Sequence, residues 1–198
     1  MKRSLFLIIL LFTVVLGFSQ TTKSSSSNTN INYDYFIIGG FVGAGGVVST
    51  NIVNSGALFP AGLDFMLQDG HLRYGLGLSS ELYLTPENLA KVIFSSNTSN
   101  VTKVYFEVEP MLFKWFIINL GVNMKLGGFW VGKGGDDMNP NETHYFGNVG
   151  ALVELGPKKF MLFVNPYLEY KSYGSWHKEL IGAVELGLKI RIPSDKMK

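Results

Sequence analysis

The chain has 198 residues, no cysteine, and 17 basic against 15 acidic side chains. This length fits one domain, and the lack of cysteine excludes a disulfide framework. The near balance of charge excludes the basic surface that nucleic-acid-binding proteins carry, so we expect no nucleic-acid partner.

The N-terminal segment has the pattern of an export signal. Lys2 and Arg3 precede an apolar run from Leu5 to Leu16, which small residues close, as in a secretory signal peptide. The run is too short for a membrane anchor helix, which needs about 20 apolar residues. We predict a signal peptide over residues 1–19 and a flexible periplasmic tail over residues 20–32, which are rich in Ser, Thr and Asn.

After this tail, apolar and polar residues alternate in segments long enough to cross a bilayer as tilted strands, about 9–11 residues each. A period of two is typical of β-strands. We predict eight strands, over residues 33–48, 56–68, 71–84, 101–113, 117–131, 144–155, 159–173 and 180–192. The composition alone also fits a soluble β-sandwich, and the glycine-rich first strand leaves its own facing ambiguous.

The lengths of the connections favour a membrane barrel over a sandwich. The turns after the second, fourth and sixth strands are short, and they include Asp69-Gly70, a strong hairpin signal, and a tight turn over Lys114–Phe116. The connections after the third and fifth strands are the longest, and Thr85-Pro86-Glu87 predicts the start of a short helix in the first of them. Short periplasmic turns opposite longer outer loops are typical of bacterial outer-membrane barrels.

In this alternation, the charged residues of the second to eighth strands all lie on the face opposite the apolar one. An eight-stranded barrel has an interior only wide enough for side chains, and a buried charge without a partner is costly. We therefore predict a paired polar network that closes the lumen to ions, although the inner glycines leave a narrow channel as an alternative. The predicted network is Asp64, Arg73, Glu81, Lys103, Glu107, Glu109, Lys125, Glu154, Glu169, Lys171, Glu185, Lys189 and Arg191.

The last strand carries a pattern similar to the assembly signal of outer-membrane barrels, with Glu185, Gly187, Ile190 and Ile192 at the matching positions. Residues 33–192 resemble the small barrels of the OmpA/OmpX type and, more loosely, the PorT-like β-barrel domain family. The resemblance implies an all-β, eight-stranded antiparallel up-and-down transmembrane β-barrel. It also implies an address in the bacterial outer membrane, contact with outer-membrane lipid, and insertion by the barrel-assembly machinery. Residues 193–198 would form a C-terminal tail.

The resemblance carries no catalytic residue, so our leading hypothesis is a monomeric structural or surface-interaction protein of the adhesion type. Its outer loops would bind a surface ligand or a partner protein. A narrow channel or a component of a secretion machine is a further alternative.

A lipid-modifying enzyme is the other alternative, because a rim histidine with a serine and a carboxylate serves that chemistry. His177 has Ser175 and Glu179 nearby in sequence, and His144 has Glu142. A histidine at a barrel rim is, however, more often a solvated loop residue.

No sequence pattern predicts a cofactor or a resident metal. The glycines between Gly39 and Gly46 lack the spacing of a dinucleotide-binding loop. One polar loop collects oxygen ligands that suit calcium, but without the spacing of an EF-hand: Asp136, Asp137, Asn139, Asn141 and Glu142.

Overall fold

The structure is a computed structural model, and it describes residues 33–50, 56–84, 99–131, 144–157, 159–174 and 178–194. The predicted signal peptide, periplasmic tail, helix start and calcium group lie outside these ranges. Among the residues that the structure describes, no helix has the length and apolar character needed to cross a membrane.

Eight antiparallel strands form one closed barrel, which confirms the predicted fold class. Each strand pairs with the next, and the last pairs with the first, so the sheet has no free edge. A closed ladder satisfies the backbone hydrogen bonds within the protein, as a spanning structure in lipid requires. The strands are β1 (Tyr35–Thr50), β2 (Ala57–Asp69), β3 (Leu72–Leu84), β4 (Ser99–Trp115), β5 (Ile118–Val131), β6 (His144–Leu155), β7 (Phe160–Tyr173) and β8 (Lys178–Pro193).

The two ends of the barrel differ in their connections. The turns at Gly70–His71, at Phe116–Ile117 and around Gly156 lie at one end, with the start of β1 and the end of β8. We call this the short-turn end. The last residues of β1, β3, β5 and β7 lie at the opposite end, which we call the long-loop end.

Inward and outward positions alternate along the strands as the sequence predicts. On β3, Leu76 is 61% exposed on the outer wall, whereas Arg73 is fully buried inside. The outer wall carries large apolar side chains on all eight strands. The barrel therefore has an apolar outside and a polar core.

The structure settles the facing of β1, which the sequence left ambiguous. Ile37 and Phe41 are buried in the interior, and Val42 and Val48 are exposed on the outer wall. A side chain at Gly45 would collide with Ala183 of the neighbouring β8. Gly45 thus allows close approach of β1 and β8.

The predicted turn over Lys114–Phe116 is wrong by about one residue. β4 continues to Trp115, and the turn is formed by Phe116 and Ile117, with Phe116 at a φ of 34°. A β-bulge between Met111 and Phe113 places Leu112 and Phe113 both on the outer wall. A bulge leaves one extra residue unpaired and disrupts the ladder only locally, and in an apolar run it leaves no signal in the sequence.

Candidate functional site: the charged interior

All thirteen residues of the predicted polar network lie inside the barrel, and none is more than 9% exposed. Their contacts divide them into three layers. The short-turn layer contains Arg73, Glu109, Glu154, Lys189 and Arg191. The middle layer contains Asp64, Glu107, Lys125 and Glu185. The long-loop layer contains Glu81, Lys103, Glu169 and Lys171.

The short-turn layer is centred on Glu154 of β6. Arg73 donates to both carboxylate oxygens of Glu154, at 2.5 and 2.9 Å, and also to Glu109 at 3.0 Å. Arg191 donates to Glu154 at 3.1 Å, and the Lys189 ammonium lies 3.3 Å from the same carboxylate. Bidentate guanidinium–carboxylate pairs fix orientation as well as charge, so this layer ties β3, β4, β6 and β8 across the lumen.

The middle layer contains fewer basic groups. Lys125 Nζ donates to both oxygens of Glu185, at 3.0 and 3.2 Å, but lies 3.9 Å from Glu107. Asp64 accepts a hydrogen bond of 2.7 Å from the hydroxyl of Tyr105. Lys125 is thus turned towards Glu185, and Glu107 has the longer of its two contacts.

The long-loop layer is a balanced square of charges. Lys103 donates to Glu81 and, at 2.5 Å, to Glu169. Lys171 donates to Glu81 and lies 3.5 Å from Glu169. Two ammonium groups thus alternate with two carboxylates, and each charge has an opposite charge on both sides.

Aromatic rings fill the space between these charges. Lys125 Nζ lies 4.3 Å from the centre of the Phe41 ring, and Lys103 Nζ lies 4.4 Å from that of Phe146. Cation–π contacts of this kind are favourable when the cation is desolvated. Sequence reasoning missed them, because each contact joins strands that are not neighbours, β5 with β1 and β4 with β6.

The inner glycines leave no gap at the positions where a ring covers them. A side chain at Gly77 would overlap the ring of Tyr105, and one at Gly187 would come within 2.5 Å of the ring of Phe163. Aromatic side chains packed over strand glycines occur widely in β-sheets. At these two positions the channel that the glycines suggested is therefore filled.

An aromatic cluster lies above the long-loop layer, near the mouth of the barrel. His144 stacks on Phe129 with ring centres 5.3 Å apart, and Tyr173 meets Phe129 edge-on at 4.9 Å. Tyr173 and Tyr83 donate to Glu179, at 3.0 and 3.4 Å.

This cluster bears on the enzyme hypothesis. Ser175, His177 and Glu142 lie outside the described residues, so neither proposed catalytic group is described in full. Each group has one described residue. His144 is packed between aromatic rings, and Glu179 is hydrogen-bonded to tyrosines.

The residues of the assembly pattern occupy both faces of β8. Glu185 is part of the middle layer and Gly187 lies under Phe163, while Ile190 is on the outer wall. Their role in assembly stays a prediction.

No protein-family model matches the sequence, and no curated protein matches it either. Among solved structures, Neisserial surface protein A is 14% identical over 80% of this chain and 97% of its own, with a TM-score of 0.57. The outer membrane enzyme PagL is 14% identical over 79% of this chain and 99% of its own, with a TM-score of 0.47. The N-terminal β-barrel domain of Pseudomonas aeruginosa OprF is 14% identical over 80% of this chain and 98% of its own, with a TM-score of 0.46. At this identity, the likeness to Neisserial surface protein A shows the fold alone.

Proposed function

We propose that the protein is an integral barrel of the bacterial outer membrane that serves as a structural or surface-interaction protein, with a closed interior. In this proposal it is a monomer, its wall contacts outer-membrane lipid, and the barrel-assembly machinery inserts it. The connections at the long-loop end would present the binding surface to a ligand or partner protein.

The observation that carries the proposal is the separation of chemistry between the two faces of the same strands. Thirteen charged side chains point inward, and the mid-strand outer wall carries residues such as Leu76, Leu126 and Leu186. A soluble protein rarely exposes a continuous apolar surface of this size. In lipid this apolar surface is not exposed to water, so it carries no cost of hydration.

Aromatic residues at two heights of the outer wall support the same orientation. Trp130, Tyr145 and Tyr170 are exposed towards the long-loop end, and Trp115 and Phe160 towards the short-turn end. Aromatic girdles of this kind lie at the two interfaces of a bilayer. The apolar part of the outer wall, with Leu76 and Leu126, lies between these two sets of aromatic residues.

Cell fractionation and gel mobility test the membrane part of this proposal. The protein should sediment with outer membranes, and it should migrate differently before and after boiling, because a closed ring of strands resists detergent until it is heated. Recovery as a soluble periplasmic protein would contradict the proposal.

Loop trimming tests the interaction part. Deletion of residues 92–98 or 133–141 should leave the shift in gel mobility intact while removing a binding or surface phenotype, since loops tolerate deletion better than paired strands. Ser99 and Asn100 are retained because they belong to β4. If both deletions left every surface phenotype unchanged, the loops would not be the functional part.

A further inference from the structure

The charges of the interior balance in one layer but not in the other two. The long-loop layer has two lysines for two glutamates. In the middle layer, three carboxylates, those of Asp64, Glu107 and Glu185, share Lys125 as their only basic partner within the layer. The short-turn layer has three basic groups for two carboxylates. Together the two adjoining layers hold five acids and four bases, so the acids of these described layers outnumber the bases by one.

The hydrogen bonds of the middle layer also show a shortage of donors. Three buried acceptor oxygens there have no donor: Glu107 Oε2, Asn123 Oδ1 and Asn165 Oδ1. Each of these residues is at most 2% exposed. Buried polar atoms without a partner are uncommon, and three acceptors in one region indicate that a donor or a cation belongs among them.

Rotating the two amides does not remove the deficit. Asn123 Nδ2 donates to Glu107 and, at 3.0 Å, to Glu109, and Asn165 Nδ2 donates to Glu185 at 3.0 Å. A flip would place each amide oxygen against a carboxylate oxygen, and two acceptors cannot bond to each other. The amide orientations are therefore fixed by their carboxylate neighbours.

Gly150 of β6 brings the two amides together. Asn123 is its register partner on β5, and Asn165 Oδ1 of β7 lies over its inner face, where a side chain would collide with it. Asn123 in turn donates to Glu107. The two amide oxygens and the Glu107 carboxylate thus lie along one stretch of the inner wall.

We propose that the middle layer is a binding site for one monovalent positive charge, held by Glu107 with the amide oxygens of Asn123 and Asn165. The charge is either a proton, on the carboxylate or on a water molecule, or an alkali metal ion. Carboxylate and amide oxygens suit such hard cations. Glu107 supplies one negative charge and the two amides are neutral, so the group balances the charge of a monovalent cation.

The charged groups that face Glu107 come from four strands. They are Asp64 on β2, Glu109 on β4, Lys125 on β5 and Lys189 on β8. Glu185 on β8 contacts Lys125 in turn. The register partner of Glu107 on β3 is Gly75, and β6 and β7 contribute the neutral Gly150 and Asn165. If the bound charge is a proton, the folded barrel binds one more proton than the unfolded chain, so stability falls as the pH rises. If it is an alkali ion, stability rises with that ion at constant pH.

The test compares Glu107→Gln with Glu169→Gln in the full-length protein, purified in detergent, by the midpoint of thermal unfolding. Glu107→Gln removes the carboxylate that holds the bound charge, so its midpoint should exceed that of the wild type at alkaline pH in choline chloride, where the site is empty. Glu169→Gln removes a carboxylate from the balanced layer and leaves Lys103 and Lys171 with only one, so the midpoint should fall. Each protein is measured from mildly acidic to mildly alkaline pH at constant ionic strength, and then with sodium, potassium or choline chloride at constant pH.

A wild-type midpoint that falls with rising pH, in a manner that Glu107→Gln loses, identifies a proton. A midpoint that rises with sodium or potassium but not with choline, again lost in Glu107→Gln, identifies an alkali ion. A wild-type protein that responds to neither would overturn the proposal, even if the variant failed to fold. So would a Glu107→Gln midpoint as low as that of Glu169→Gln.

Discussion

The outer wall and the interior of this barrel are built from the same strands, yet they follow different rules. On the outer wall Leu76 and Leu78 need only be apolar if the wall faces lipid as proposed, because hydrocarbon accepts any such side chain. In the interior Arg73 requires Glu154 and Glu109 at defined distances. A substitution on the wall should therefore be judged by polarity and depth, and one in the interior by the partners it leaves behind.

The largest effect is expected where one interior residue serves several partners. Glu154→Ala leaves Arg73, Arg191 and Lys189 without a shared carboxylate. Breaking a buried ion pair on one side costs about 3–5 kcal/mol, so the free energy of unfolding should fall by about that amount. Urea titration of the folded fraction in detergent measures it.

The control is Val153→Ala, the adjacent residue, which faces outward. Its effect should stay below about 1 kcal/mol, as for substitutions away from specific contacts. Equal losses in the two variants would mean that the interior pairs are not specific.

The next effect tests depth on the outer wall. Leu76→Arg places a charge at mid-height in lipid, where it costs about 2–4 kcal/mol, whereas Trp115→Arg places one near the interface, where the cost is about 0–1 kcal/mol. The yield of heat-modifiable barrel inserted into liposomes should therefore fall much more for Leu76→Arg. Similar yields would show that the belt assigned to lipid is misplaced.

A smaller effect tests the packing of the interior against the open wall. Gly77→Ala places a methyl group against the Tyr105 ring and 2.6 Å from Asp64 Oδ1, and overpacking of this kind costs about 1–3 kcal/mol. Gly40→Ala faces outward, with its nearest neighbour, Leu63, at an ordinary 3.5 Å, and should be tolerated. The midpoint of thermal unfolding should therefore be lower for Gly77→Ala than for Gly40→Ala. Equal midpoints would mean that the interior can accommodate an extra methyl group at Gly77.

These differences explain how much the sequence could predict. The facing of β3 follows from strict alternation, because Leu76 and Leu78 differ clearly from Arg73 and Glu81. The facing of β1 was not predictable, since glycines carry no preference for either face. The bulge after Met111 was hidden for a related reason, as the residues on both sides of it are apolar.

The partners within the interior could not be predicted at all. Arg73 and Glu154 lie three strands apart, and Lys103 of β4 reaches Glu169 of β7. Which side chains meet across the lumen depends on the stagger of the strands, and alternation along a single strand does not contain that quantity. The isolated oxygen of Glu107 follows from the same geometry, because it depends on where Lys125 points.

In the proposed protein, ion pairs and aromatic rings close the lumen while the outer wall faces lipid. Conductance of the purified, unmutated protein in a planar bilayer is the decisive measurement. If the charged layers fill an eight-stranded interior, ions meet no continuous path of water, and we expect no steady conductance. Sustained, ion-selective channels would contradict the closed interior and make a pore the better description of the protein.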